Sequence, residues 1–346
     1  MILIIFAYTN SIVLSHMQKI LVIQTAFIGD VVLATGLIEK LHQHYPSANI
    51  DFLVRKGNEG LLSNHPYLNE VLIWDKKKNK LLNLFKMLFQ IRRKRYDVVI
   101  NVQRFFATGI LTAFSGAKWK IGFDKNPLSF LFTKKIKHVI STADHPLHEI
   151  DRNQLLIAEI TDPIPAKPRL YPSEKDFETV ATLKKRPYIV VAPASVWFTK
   201  QYPAEKWMEF ISKVSLHVHV YLIGAPGDKE LCDFIRRRTA HPFVENLCGQ
   251  YNFLQSAALQ KDALMNYVND SAPMHFASAV NAPVTAVYCS TLPSFGFGPL
   301  SDKSFIVEIK EPLECRPCGL HGLKACPLGH FNCAYKIEDE QLLSNL

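Results

Sequence analysis

Neither half of this chain carries Gly-x-Gly-x-x-Gly after its first strand pattern, and there is no Gly-Lys-Ser/Thr loop. The glycines that let a backbone close around a pyrophosphate are missing, which argues against a nicotinamide dehydrogenase or a P-loop enzyme. No Asp-x-Asp pair occurs, so a diphosphate clamped by a metal is a poorer expectation than one held by a helix terminus and a lysine. There is no low-complexity tract and no short-period repeat. Residues 1–16, "MILIIFAYTNSIVLSH", are apolar but too short and interrupted to span a bilayer, and they lack the basic start and cleavage site of a secretory signal. With no such signal, seven cysteines in 346 residues point to a reducing compartment rather than a disulfide framework.

What is present suits a two-domain protein: 346 residues, 48% of them hydrophobic, can build more than one core. The net charge of +9 and pI near 9.1 favour polyanionic partners, whether nucleic acid, anionic membrane or phosphorylated substrate. Met17 opens "MQKILVIQTAFIGD", a clean first strand. Residues 1–16 therefore read as an N-terminal extension, either loosely packed or the product of an upstream start codon.

From Met17 onward short β-rich runs, "KILVIQ", "NIDFLV", "EVLIWD", "DVVINV" and "WKIGFD", alternate with longer amphipathic stretches. That grammar predicts a parallel sheet covered by helices on both faces. It breaks at "ITDPIPAKPRLYPSEKD", where Pro163, Pro165, Pro168 and Pro172 cluster, and restarts with "YIVVAP", "VHVYLIG", "LMNYVN", "VTAVYC" and "FIVEI". The expectation is an α/β protein of two doubly wound domains: the extension 1–16, a first domain over 17–162, a linker over 163–187 and a second domain over 188–346. Ligands of open α/β sheets bind at the carboxyl ends of strands, so chemistry is expected in a cleft between the two halves.

Three segments fall at such strand ends. In "QTAFIGDVVLATGLIEKL" the spacing of Val31, Ala34, Ile38 and Leu41 predicts a helix starting near Asp30. Asp30 either caps that helix or meets a reactant at the strand edge. In "APASVWFTKQYPAEKW", Ser195 and Thr199 bring hydroxyls and Lys200 a charge, ahead of a helix anchored by Trp207, with Pro203 in its first turn. Lys200 is either a solvated loop lysine or a ligand contact. In "NDSAPMHFASA", Asp270 or Ser271 can cap a helix whose first turn holds Pro273, and Ser271 and Ala272 are small enough to leave its N–H groups open to an anion. His275 is either a core histidine or a further donor to that anion.

Residues 76–95, "KKKNKLLNLFKMLFQIRRKR", carry nine basic residues and no acidic one around Leu81, Leu82, Leu84, Phe85, Leu88 and Phe89. Such a helix suits an anionic membrane surface or covers a sheet with its basic ends in water. The tail "CRPCGLHGLKACPLGHFNC" places Cys315, Cys318, Cys326 and Cys333 close in sequence. Four thiols can hold zinc, but the Cys-x2-Cys half has no mirror, so buried or redox-sensitive thiols are the alternative.

The ordered set "GDVVLATGLIEKL", "HPYLNEVLIWD", "FTKQYP", "NLCG", "NDSAPMHFASAVNAP" and the cysteine-rich tail resembles glycosyltransferase family 9, the ADP-heptose:lipopolysaccharide heptosyltransferases, over nearly the whole chain from Met17. The resemblance implies a GT-B architecture, acceptor on the N-terminal domain and nucleotide sugar on the C-terminal one. It implies inverting transfer of a sugar to a lipid-linked saccharide acceptor, with no metal or other cofactor. Carried over by position, Asp30 matches the catalytic aspartate, Lys200 the phosphate-contacting lysine, Asp270, Ser271, Ala272 and His275 the donor-binding element, and Ser195 a hydroxyl near the donor phosphates. Ala272 replaces the usual glycine, Gly36 stands where many members have proline, and Pro226 falls where some contact the donor through an acid.

The resulting expectation is a cytoplasmic enzyme, peripheral on the inner face of the cytoplasmic membrane. It moves heptose, or a related sugar, from ADP-heptose to a lipopolysaccharide inner-core or lipid A-type acceptor and takes no nucleic acid. The same fold with a UDP-hexose or UDP-N-acetylhexosamine donor is one alternative. A nucleic-acid-binding protein with a zinc-held tail is a remoter one.

Overall fold

The computed structural model describes residues 17–142 and 145–346; the extension expected over 1–16 lies outside them. The chain divides into two compact units. Unit 1 comprises the described residues up to Ile140 together with Glu149–Pro168, and unit 2 comprises Ser141–His148 and Arg169–Leu346.

Unit 1 is built on β1 (Lys19–Ile23), β2 (Asn49–Arg55), β3 (Leu68–Trp74), β4 (Val98–Asn101), β5 (Trp119–Phe123) and β6 (Lys134–Ile136), in the order β3-β2-β1-β4-β5-β6. All pairs are parallel. Unit 2 carries β7 (Tyr188–Ala192), β8 (His219–Leu222), β9 (Val244–Asn246), β10 (Asn266–Asn269), β11 (Val284–Tyr288) and β12 (Ser304–Glu308), ordered β12-β11-β10-β7-β8-β9 and likewise parallel. Counted within each unit, the two orders are the same doubly wound 3-2-1-4-5-6 arrangement. The continuous Val/Ile runs explain it: Ile20 to Ile23 and Ile189 to Val191 are fully buried, as strands covered on both faces must be.

The sequence grammar finds ten of these strands and misses β6 and β9. Both are edge strands of three residues, and β6 reads Lys-Lys-Ile, too short and polar to show a period.

The proline-rich segment expected as a linker over 163–187 is divided between the units. Asp162 receives Lys40 and His44 from the helix Ile28–His44, each at 2.9 Å, and the carbonyl of Ala166 lies where a Cβ on Gly36 would come within 2.5 Å. Gly36 is therefore fixed by a passing chain, not only by its own helix, and a proline there would collide. Past Pro168 the chain joins unit 2: Leu170 donates its N–H to Ala279 O at 3.2 Å, and Ser173 caps the helix Glu174–Val180 with a reciprocal Asp176 bond. Residues 141–148, assigned by sequence to the first domain, also belong to unit 2, where Gly296 packs on the Leu147 carbonyl.

Candidate functional site

In unit 2 the first and fourth strands, β7 and β10, are neighbours, and the segments predicted to bind a ligand follow each of them. Asn269, fully buried at the end of β10, donates to Pro193 O at 2.8 Å and accepts from the Tyr202 N–H at 3.0 Å. One side chain thus ties the loop after β7 to the end of β10. The Lys200 ammonium lands 2.6 Å from Asp270 Oδ2, with only 15% and 10% of the two side chains exposed. The Thr291 hydroxyl donates to the same Asp270 oxygen at 2.8 Å.

The helix Ala272–Ala279 begins here, with Ser271 as its N-cap and Pro273 in its first turn. Pro273 carries no N–H and the Met274 N–H is taken by Ser271 O at 3.1 Å, which leaves the Ala272 N–H at the helix start, where the dipole favours an anion. Ala272 adopts ordinary helical geometry, since it is absent from the residues with positive φ; the usual glycine is not required there. His275 is buried and its Nδ1 has no hydrogen-bond partner. Burial first, with Lys200 and His148 adding, lowers its pKa to about 4 against the opposing pull of Asp270, so the imidazole is neutral at pH 7.

The Asp270 carboxylate is directed at the Lys200 ammonium. Thr199 is buried, and its hydroxyl accepts from Ser290 Oγ at 2.9 Å and from the Leu323 N–H at 2.8 Å. Ser195 is half-buried on the same loop, its carbonyl accepting from Gln201 Nε2 at 2.6 Å. In the Pro226–Asp228 turn, the acid is spent on the Ala225 N–H at 2.8 Å.

In unit 1 the helix starts at Ile28 with Phe27 as N-cap, earlier than the apolar spacing predicts. Asp30 is therefore the third helical residue, and its Oδ2 accepts the Phe27 N–H at 3.1 Å. Capping and chemistry are compatible, because the half-buried carboxylate stays at the first turn after β1. Beside β1, Gln103 follows β4 and accepts from Thr25 Oγ1 at 2.5 Å.

A second carboxyl joins this end of the unit. Glu149 is buried and ion-paired with Arg152. Its pKa is pushed up to about 7 by burial and then by the nearby charge of Asp30, against Arg152 and Arg104. It stands in "HPLHEIDRN" with no motif spacing, so nothing in the sequence could single it out.

Among the described residues no group of three or more His, Cys, Asp or Glu is arranged to hold a metal ion, the tail thiols Cys315, Cys318, Cys326 and Cys333 included. All seven cysteines are free.

Two six-stranded parallel sheets wound in the same order, one in each unit, are the fold of an α/β protein of GT-B type. A model of glycosyltransferase family 9 (heptosyltransferase) matches residues 84–321, and this chain belongs to that family. The lipopolysaccharide core heptosyltransferase OpsX of Haemophilus influenzae is 26% identical over 284 residues, 78% of this chain and 79% of that protein. Lipopolysaccharide heptosyltransferase 2 of Escherichia coli is 25% identical over 312 residues, 84% and 88% of the two chains. The solved structure of E. coli ADP-heptose lipopolysaccharide heptosyltransferase II superposes with a TM-score of 0.76 at 23% identity, over 95% of this chain and 97% of that one. A family 9 glycosyltransferase from Veillonella parvula gives 0.78 at 21% identity, over 95% of each chain.

Proposed function

We propose that this glycosyltransferase moves heptose from ADP-heptose to the inner core of a lipopolysaccharide acceptor, inverting the anomeric carbon and needing no metal. Asp30 takes the proton of the acceptor hydroxyl as its oxygen bonds to the anomeric carbon. The bond from that carbon to the phosphate oxygen breaks, and its electron pair leaves on ADP. Lys200 and the Ala272 N–H at the start of the helix Ala272–Ala279 meet the charge that grows there. The observation that carries the reading is the Lys200–Asp270 pair at that helix start, which presents a charge already oriented before the diphosphate arrives. Family membership supports heptose as the sugar.

The test is a thermal-shift panel of ADP, UDP and GDP on the full chain, with and without EDTA. Only a ligand of the native state raises its melting point. ADP is expected to stabilise most, unaffected by EDTA; a larger shift with UDP would replace the donor assignment.

We place the enzyme peripherally on an anionic membrane. The helix Lys80–Lys94 turns Leu84, Met87 and Ile91 inward, but it leaves Leu81, Leu82, Phe85 and Phe89 exposed, Phe89 by 69%. Lys77, Lys78, Lys80, Lys86 and Arg93 are exposed around them. An aromatic stripe ringed by cations suits anionic lipid headgroups over acyl chains. No helix among the described residues is long and apolar enough to cross a membrane. Phe85→Ser with Phe89→Ser is expected to release the protein from phosphatidylglycerol vesicles in co-sedimentation; unchanged binding would remove this surface.

A further inference from the structure

The cysteine-rich tail is not a free appendage: residues 315–323 reach both partners of the Lys200–Asp270 pair. On the lysine side the tail forms a small ladder with the loop after β7. Thr199 donates its N–H to Leu323 O at 3.1 Å, and the Leu323 N–H donates to Thr199 Oγ1 at 2.8 Å. Gly322 lies directly on the lysine stem. A Cβ there would stand 2.9 Å from Lys200 Cγ and 3.1 Å from Thr199 Oγ1, and its φ of +76° is in the left-handed region. Glycine is required twice over, by conformation and by space.

On the aspartate side, Arg316 donates through Nη2 to Thr291 O at 2.8 Å, to Tyr288 O at 3.3 Å and to Glu308 Oε2 at 2.6 Å. Thr291 is the residue whose hydroxyl holds Asp270. The Cys318 N–H donates to Ser290 O at 3.0 Å, and Ser290 Oγ donates to Thr199. The tail therefore closes a circuit around the ion pair, from Arg316 through Thr291 and Asp270 to Lys200 and back to Gly322.

We propose that the tail is the positioning element for Lys200, with Gly322 fixing the lysine stem and Arg316 fixing the loop that orients Asp270. The proposal rests on the reading that Lys200 meets the donor diphosphate. It assigns these two residues a role in setting the ammonium, not in touching substrate. Phe331 adds an anchor, its ring 5.2 Å from that of Phe198 on the Lys200 turn.

The experiment is calorimetric titration of ADP into the full chain carrying Gly322→Ala, Lys200→Ala or both, with melting points recorded for each. Lys200→Ala alone tests the parent reading: if ADP affinity is unchanged, the diphosphate contact fails and the positioning role with it. If Lys200→Ala weakens ADP, Gly322→Ala is expected to weaken it about tenfold, the scale of one misplaced charged hydrogen bond. It should add nothing in the Lys200→Ala background, because the added methyl acts through the lysine. A loss of equal size in both backgrounds, or none in the wild-type background, overturns the proposal. Should Gly322→Ala not fold, Arg316→Gln is read in the same cycle with the same expected outcomes.

Discussion

The two units wind their sheets in the same order, first strand beside fourth, yet they differ in what they place after the first strand. In unit 1 the chain enters the helix Ile28–His44 almost at once. This puts acids at the helix start, Asp30 in its first turn and the buried Glu149 close enough to feel its charge. In unit 2 a long loop with a 3-10 turn at Phe198–Lys200 precedes the helix Ala204–Lys213, so Lys200 reaches across to Asp270 at the end of the neighbouring strand. In the proposed function, one topology serves proton removal in one unit and charge neutralisation in the other. The difference lies in loop length and in which sign of charge the loop delivers.

The sharpest way to break this division is to remove each charge in turn. Asp30→Ala should cut kcat by about a hundred- to ten-thousandfold while leaving the calorimetric affinity for ADP at its wild-type value. Lys200→Ala should lower kcat by about a hundredfold or more and weaken ADP as well. Transfer by Asp30→Ala at a near wild-type rate would sink the assignment of the base.

A smaller effect is expected from Asp270→Asn, which leaves the enclosed Lys200 without its counter-charge. Losing one partner of a buried pair costs about 3 kcal/mol of stability, read as a lower midpoint in urea. ADP should stabilise this variant more than the wild type, because the diphosphate supplies the missing anion. An equal ADP shift in both proteins would mean that Asp270 and the diphosphate do not share the lysine.

Smallest is the pH effect in unit 1. Glu149 keeps its proton in the folded chain up to about pH 7 but loses it near 4.5 when unfolded. The native state then binds more protons than the unfolded state between these values, so stability falls as pH rises through that window. Glu149→Gln should flatten the dependence of the urea midpoint between pH 4.5 and 7. An unaltered slope would show that the carboxyl titrates elsewhere.

Much of the fold was legible without coordinates. The Val/Ile runs and their spacing marked ten strands because burial on both faces leaves a continuous apolar signal; β6 and β9 escaped because short edge strands need no such run. The apolar face Val31, Ala34, Ile38 and Leu41 was readable for the same reason, and all four are fully buried. The helix start was placed too late, at Asp30, because the N-cap Phe27 has no capping side chain of its own and Asp30 bonds back to it from the third helical position.

The sequence by itself determined the two doubly wound halves and the strand ends at which Asp30, Lys200 and Asp270 stand, since hydrophobic periodicity and helix-start chemistry are local. Only the tertiary structure decided that Asp270 pairs with Lys200, that Thr199 bonds to Ser290 and Leu323, that Glu149 stands near Asp30, and that Gly322 lies on the lysine stem. Each of these joins residues far apart in the chain across packed, poorly solvated space, where charge and volume act over a few ångströms and sequence distance carries no information.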